Sequence, residues 1–245
     1  MAGLAARLRK EGLEPVPHLV ARRLGSLPAV EDYLKRLTED AGVVQALIVA
    51  GDAPTSGGGL HSSLEILDSG LLEKYNLRTI GVAGHPEGHP DVTDEVLREA
   101  LRRKNAYAKK TGASMYIVTQ FTFSADALFA WEKSYAGDIG RLPVRVGMPG
   151  LASVGTLLKY AIECGIGASL QAFSKRYASL TKLLTVSAPD GIIVNLARYR
   201  ARTPDTRFSG VHFFTFGGFQ KTAEWANKIV DGKFEVTEDG GLVLI

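Results

Sequence analysis

The stretch Thr79-Ile80-Gly81-Val82-Ala83-Gly84-His85-Pro86-Glu87-Gly88-His89-Pro90 is an apolar run that breaks into two imidazoles, a carboxylate and two prolines. Proline lacks a backbone donor and glycine costs conformational entropy, so a cluster of this density belongs in a rigid, shaped loop and not in a helix or strand interior. The run before it reads as a buried strand. Loops that present His and Glu from the end of such a strand are where enzymes place their chemistry.

Working outward, similar short runs occur at 14–17, 45–50, 115–119, 144–147 and 211–216. Their apolar character is continuous more than alternating, as in strands covered on both faces. Helical periodicity fills the intervals at 29–40, 63–69, 93–110, 125–134, 154–164, 169–184, 190–200 and 222–231. Strand-helix alternation of this kind predicts parallel strands joined by crossover helices. The expectation is an α/β chain of the (β/α)8 TIM-barrel type with about six recognisable parallel strands, forming a single domain over 1–245. Barrels of this type carry their sites on the loops after the strands. The exits here hold His18, Gly51-Asp52, the His85 to Pro90 cluster, Gln120, Pro149 and Gly217-Gly218.

Composition narrows the function. With 45% hydrophobic and 22% charged residues the chain is ordinary for a globular protein. A net charge of +3 over 245 residues is too weak for a nucleic-acid partner, and Arg102-Arg103-Lys104 and Lys109-Lys110 read as solvated helix charges. Cys164 is the one cysteine, which excludes an intramolecular disulfide and points to a reducing cytoplasm; among apolar neighbours it reads as a buried, inert thiol. No secretory leader is evident near Met1, and no apolar run is long enough to cross a bilayer, so no membrane partner is expected.

Several motifs keep a plain structural reading. His85 and His89 have the spacing of a helical zinc pair, but Pro86, Gly88 and Pro90 oppose a helix, so no metal is expected. Asp52 has the position of a turn former. Gly57-Gly58-Gly59 lacks the Lys-Ser/Thr of a P-loop and reads as a lid-like loop. Phe121, Phe123, Phe129 and Trp131 are expected to fill a helix–sheet interface, and Trp225 and His212 to belong to the core.

Taken together, Pro17-His18-Leu19, Ala50-Gly51-Asp52-Ala53-Pro54, His85-Pro86-Glu87-Gly88-His89-Pro90, Thr119-Gln120-Phe121 and Val211-His212-Phe213-Phe214-Thr215 follow an order and spacing that resembles the methylenetetrahydrofolate reductase family. The resemblance implies a flavoprotein barrel that uses FAD, with NADH or NADPH as donor, to reduce 5,10-methylenetetrahydrofolate to 5-methyltetrahydrofolate. It implies FAD contacts at His18, Ala50, Gly51, Asp52, Ser62, His85, His89, Asn105 and Lys109. Asp52 resembles the acidic residue beside flavin and pterin and is the catalytic candidate. Gln120 resembles the pterin-binding amide, so Asp52 and Gln120 are the substrate-binding candidates. The folate is the expected partner, and a homo-oligomer is left open.

The chain also departs from the family pattern. The glutamate on the first family strand, its general acid, has no counterpart here, and the motifs begin near the second helix of the family barrel. Six strands stand where closure needs eight, which predicts that the N-terminal part of the barrel is missing. Gly217-Gly218-Phe219 replaces an Asn-Arg pair, Thr156 stands where glutamine is usual, and His85 replaces a tyrosine. Two alternative readings follow: a non-catalytic or flavin-independent folate-binding relative, and a metal-dependent barrel hydrolase using His18, Asp52, His85 and His89.

Overall fold

The computed structural model describes residues 2–52, 59–166, 170, 174, 186–238 and 241–245. Gly57 and Gly58 of the lid-like loop lie outside the described residues, as does the helix expected at 169–184 except for Leu170 and Ser174, both helical.

In chain order the elements are α1 (Ala2–Lys10), β1 (His18–Val20), α2 (Ala21–Leu24), α3 (Leu27–Lys35), β2 (Gln45–Val49), α4 (Ser63–Asp68), α5 (Leu71–Lys74), β3 (Thr79–Gly84), α6 (Asp94–Thr111), β4 (Ser114–Thr119), α7 (Ala125–Ser134), α8 (Ala136–Ile139), β5 (Val144–Pro149), β6 (Ala152–Ser153) and α9 (Val154–Glu163). They continue with β7 (Val186–Ser187), α10 (Asp190–Arg202), β8 (Phe208–Phe214), α11 (Phe219–Val230), β9 (Phe234–Val236) and β10 (Leu242–Leu244). Six parallel strands form the main sheet in the order β1-β2-β3-β4-β5-β8. Neighbours in sequence are thus neighbours in space, without the reversal of strand order that defines a doubly wound dinucleotide fold. This is the sequential order of a partial TIM barrel. The small pairs β6–β7 and β9–β10 are antiparallel and separate from it.

The described residues divide into two compact units, each considered by itself below. The first comprises Met1–Gly84, Arg98–Val118 and Asp138–Pro143, and the second His85–Leu97, Thr119–Gly137 and Val144–Ile245.

In the first unit β1 pairs with β2 and β2 with β3, both parallel, with His18 opposite Leu47 and Gln45 opposite Thr79. β1 begins four residues later than the run at 14–17 suggests. Pro15 and Pro17 lack the donors a ladder needs, although the Pro17 carbonyl still accepts from Leu47 N at 3.0 Å; His18 accordingly opens the strand and does not follow it. Side chains of Ala46, Ile48, Ile80 and Val82 are fully buried, which explains the unbroken apolar runs. A Cβ on Gly81 would lie 2.9 Å from both Leu47 Cδ1 and Tyr116 Cζ; the missing side chain lets these pack over the strand. Capping sets the helix starts: Ser26 Oγ accepts from Ala29 N, and Ser62 with Glu65 closes a reciprocal capping box on α4. The helix expected at 29–40 is α3 followed by a π-helical turn, Arg36–Asp40.

In the second unit β5 and β8 pair in parallel, with a bulge where Val144 faces Phe208 and Arg145 faces Gly210. The skipped Ser209 donates from Oγ to Val144 O at 3.2 Å, which satisfies a carbonyl at the irregularity. The aromatic residues expected in one interface divide. Phe121 packs with Phe123, Phe214 and Phe216, whereas Phe129 stacks on Tyr199 at 4.1 Å and Trp131 meets Tyr135. Trp225 is buried against Phe213 as expected. Glu132, also buried, accepts from Tyr199 Oη, Thr206 Oγ1 and Arg207 N, tying α7 to α10 and to the turn before β8.

Candidate functional site

The strand ends of the first unit gather around α2. Arg22 N donates to Ala50 O at 2.9 Å, Arg22 Nε donates to His61 O at 3.2 Å, and Leu60 N donates to Gly25 O at 3.1 Å. Arg23 Nη2 reaches Asp52 Oδ1 at 3.2 Å. The turn after β2 and the segment leading into α4 are thus tied to one short helix, which brings Ala50, Gly51, Asp52 and Ser62 together beyond the ends of β1 and β2. Gly51 is required here: its φ is +88°, and a Cβ would stand 2.4 Å from Val20 Cγ1. Arg22 and Arg23 did not enter the sequence reading. Their signal was position alone, directly after the strand that carries His18.

Asp52 is 85% exposed in its side chain. A hydrogen bond from its own backbone amide, then the Arg23 guanidinium, hold its carboxyl below the usual range. A carboxylate so placed stays ionised and acts as an acceptor, not as a proton donor. Solvent reaches the outer edge of His18, yet its ring is crowded enough that desolvation lowers its basicity, which favours the neutral imidazole.

Asn105 donates from its amide to Leu101 O, Asp138 O and Ile139 O, bracing the α6–α8 contact, and Lys109 is exposed. The side chain that reaches a strand end is Lys104, expected as a solvated charge. It is buried, with Nζ donating to Ala83 O at 3.2 Å near the end of β3. Burial pulls its ammonium down to about 8. Periodicity gave no signal for it, because a single cation within a charged run looks solvated.

In the second unit His85, Glu87, His89, Gln120 and Cys164 line one water-sized cavity of about 10 Å³. The loop after β3 is a tight turn: Gly88 N donates to His85 O at 3.1 Å, and Gly88 has φ +80°. The two imidazoles meet edge to face at 5.4 Å. Asp91 N donates to His89 Nδ1 at 3.1 Å. Phe121 N donates to Gln120 Oε1 at 3.1 Å, which orients the amide. Glu87 Oε1 accepts from the buried Thr122 Oγ1 at 2.5 Å. Cys164, expected as a buried inert thiol, is half-buried on the cavity wall as the C-cap of α9. Gly165 beside it, at φ +67°, packs so closely on Pro90 that a Cβ would lie 2.6 Å from the proline ring.

The half-buried rings of Phe123, Tyr160, Phe214 and Phe216 surround the buried Phe121. Phe216 has φ +45°, a strained backbone for a bulky residue, and stacks on Tyr160 at 4.5 Å. His212, expected in the core, is half-buried edge-on to Phe214. Among the described residues no three His, Cys, Asp or Glu side chains group closely enough to hold a metal ion, and no helix is long and apolar enough to cross a membrane.

Sequential parallel strands define a partial barrel-type α/β fold. Residues 3–216 match the methylenetetrahydrofolate reductase family model, and the chain belongs to that family. Membership makes it an oxidoreductase of the methylenetetrahydrofolate reductase type with a folate as its substrate class. Among solved structures, a tryptophan-for-phenylalanine variant of the actinorhodin polyketide ketoreductase with NADPH is similar at 18% identity over 88% of this chain and 91% of that chain, with a TM-score of 0.33; a likeness this loose carries no argument.

Proposed function

We propose that the protein reduces 5,10-methylenetetrahydrofolate to 5-methyltetrahydrofolate through FAD, with NADH or NADPH as electron donor. The observation that carries this reading is that His85, His89 and Gln120, matched to family motifs far apart in sequence, line one cavity. The bound flavin supplies a hydride-accepting and hydride-donating ring. The residues present suit such a group. Lys104 brings an ammonium to the end of β3, where it is bonded to Ala83 O, a charge that would favour an electron-rich ring or a phosphate.

His18, Ala50, Gly51, Asp52 and Ser62 are assigned to the flavin, together with His85 and His89; Asn105 and Lys109 are assigned on the resemblance alone. Asp52, kept ionised by its own backbone amide and by Arg23, disfavours excess negative charge on the reduced ring and accepts hydrogen bonds from the pterin. Gln120 binds the pterin edge with its amide hydrogens.

Purified protein incubated with FAD should retain a flavin spectrum after desalting and oxidise NADH or NADPH with menadione or the folate as acceptor. Asp52→Asn should raise the flavin potential and lower folate turnover about 10- to 100-fold. Unchanged turnover together with an unchanged potential would remove Asp52 from the assignment.

A further inference from the structure

In the first unit, two stretches assigned to the flavin, the Ala50–Asp52 turn and the segment that enters α4 at Ser62, are joined by one residue. Arg22 donates to the Ala50 carbonyl from its backbone amide at 2.9 Å and to the His61 carbonyl from Nε at 3.2 Å. The His61 peptide is fixed from its other side as well, because Glu65 accepts from His61 N at 2.8 Å and from Ser62 N at 2.7 Å. A carbonyl clamped in this way steadies the guanidinium that donates to it. Nε is the one side-chain nitrogen of Arg22 that hydrogen-bonds among the described residues. Its two terminal amino groups form the planar fork that matches a pair of phosphate oxygens, and on this half-buried side chain they are unspent.

The neighbouring carboxylate does not consume that fork. Asp52 is bonded to Arg23, and its carboxyl is held low first by its own backbone amide, next by Arg23 and only last by the charge of Arg22. Two guanidiniums therefore attend one carboxylate, which leaves the ends of β1 and β2 net positive at this point. Arg23 and Asp52 are both largely exposed, so water weakens their pair, whereas Arg22 is the better shielded cation. A purely structural tie to one carbonyl needs a single donor. Arginine brings four N–H groups beyond the one on Nε, more than the tie to His61 uses.

We infer that Arg22 binds the diphosphate of a dinucleotide through its two terminal amino groups, at the ends of β1 and β2. The choice of ligand rests on the proposed function: the stretches that Arg22 joins are the ones assigned to FAD, whereas Gln120, the amide assigned to the pterin, belongs to the second unit. NADH and NADPH carry the same diphosphate, so the chemistry at Arg22 is one and measurement decides which dinucleotide brings it. Asp52, balanced by Arg23, does not oppose the anion.

The test measures binding, not turnover. Dissociation constants for FAD, riboflavin, NADH and NADPH are determined by calorimetry on the full chain freed of bound nucleotide, at low and at high salt, and the thermal midpoint reports folding. Riboflavin carries the flavin ring without a phosphate. R22Q keeps an amide donor for the His61 carbonyl but loses the charged fork. It should weaken FAD about 10- to 100-fold, change riboflavin less than threefold, and flatten the fall of FAD affinity with salt. R22K keeps the charge without the fork, should lie between R22Q and wild type, and carries the test if R22Q folds poorly. A loss confined to NADH and NADPH gives the diphosphate to the nicotinamide donor and upholds Arg22 as its ligand. Unchanged affinity for all three dinucleotides in both variants, or a loss for riboflavin as large as that for FAD, overturns the inference while the proposed function stands. Wild-type protein that binds NADH or NADPH through Arg22 but binds no flavin keeps the inference and overturns the route through FAD; protein that binds no dinucleotide overturns both.

Discussion

Lys104 shows how much one side chain can decide. An ammonium in a dry setting with a carbonyl partner is disfavoured relative to water, which is why its basicity falls to about 8. The unfolded chain holds this proton until about 10.5, so between the two values it binds more protons than the native state, and stability rises with pH across that window. Below about pH 8 the native state carries the full cost of a buried charge. Lys104→Met, similar in length and apolar, should therefore stabilise the protein at pH 7 by about 1–3 kcal/mol and abolish the alkaline rise. Urea denaturation at pH 7 and pH 10 measures both. A destabilised variant at pH 7 would mean that the ammonium makes stronger contacts than the one to Ala83.

At the scale of elements, Glu132 performs for the second unit what caps perform for single helices. Its carboxylate receives three donors from α10 and the 206–207 turn, so α7, α10 and the entry to β8 share one buried acceptor. Glu132→Ala leaves a phenol, a hydroxyl and an amide without it and should cost about 3 kcal/mol, with Glu132→Gln costing less because an acceptor remains. Thermal unfolding followed by circular dichroism resolves that difference. Equal losses in the two variants would show that the packing of the Glu132 stem, and not its oxygens, matters. Close contacts within elements have the same character. A Cβ on Gly147 would lie 2.2 Å from Thr119 O, so β5 meets the end of β4 at a distance that only glycine permits, and Gly147 N donates to Thr119 Oγ1 in the space so gained.

On the scale of the molecule, the strand order ends at β1 on one side and at β8 on the other. The exposed part of β8 is Ser209, Gly210 and Val211, and an exposed strand edge with an apolar residue invites association. Val211→Lys should reduce concentration-dependent association in sedimentation velocity while leaving stability within about 0.5 kcal/mol. Association unaffected by the lysine would place any contact elsewhere. Much of this architecture was legible in the chain, for physical reasons that also mark its limits. β2 to β5 appear as unbroken apolar runs because both their faces are covered. β1 was displaced because the two prolines that precede it look like part of the run but cannot donate to a ladder. The hairpin of β9 and β10 passed unnoticed because three-residue strands are too short to show a period. Gln120 and residues of the His85 to Pro90 loop, which line one cavity, stood out through residue types that a strand end alone does not explain. Lys104, Arg22 and Arg23 did not, because a cation's role depends on which way the helix turns it.

One consequence follows from the orientation of Gln120. With Phe121 N held by Oε1, the amide shows its hydrogens to whatever lies against it. A lactam oxygen is welcome at that spot, whereas an exocyclic amine would set hydrogen against hydrogen. In the proposed reading, a pterin whose 4-oxo group lies against this amide is matched there, and an analogue with an amine at that position would bind less well by polarity alone.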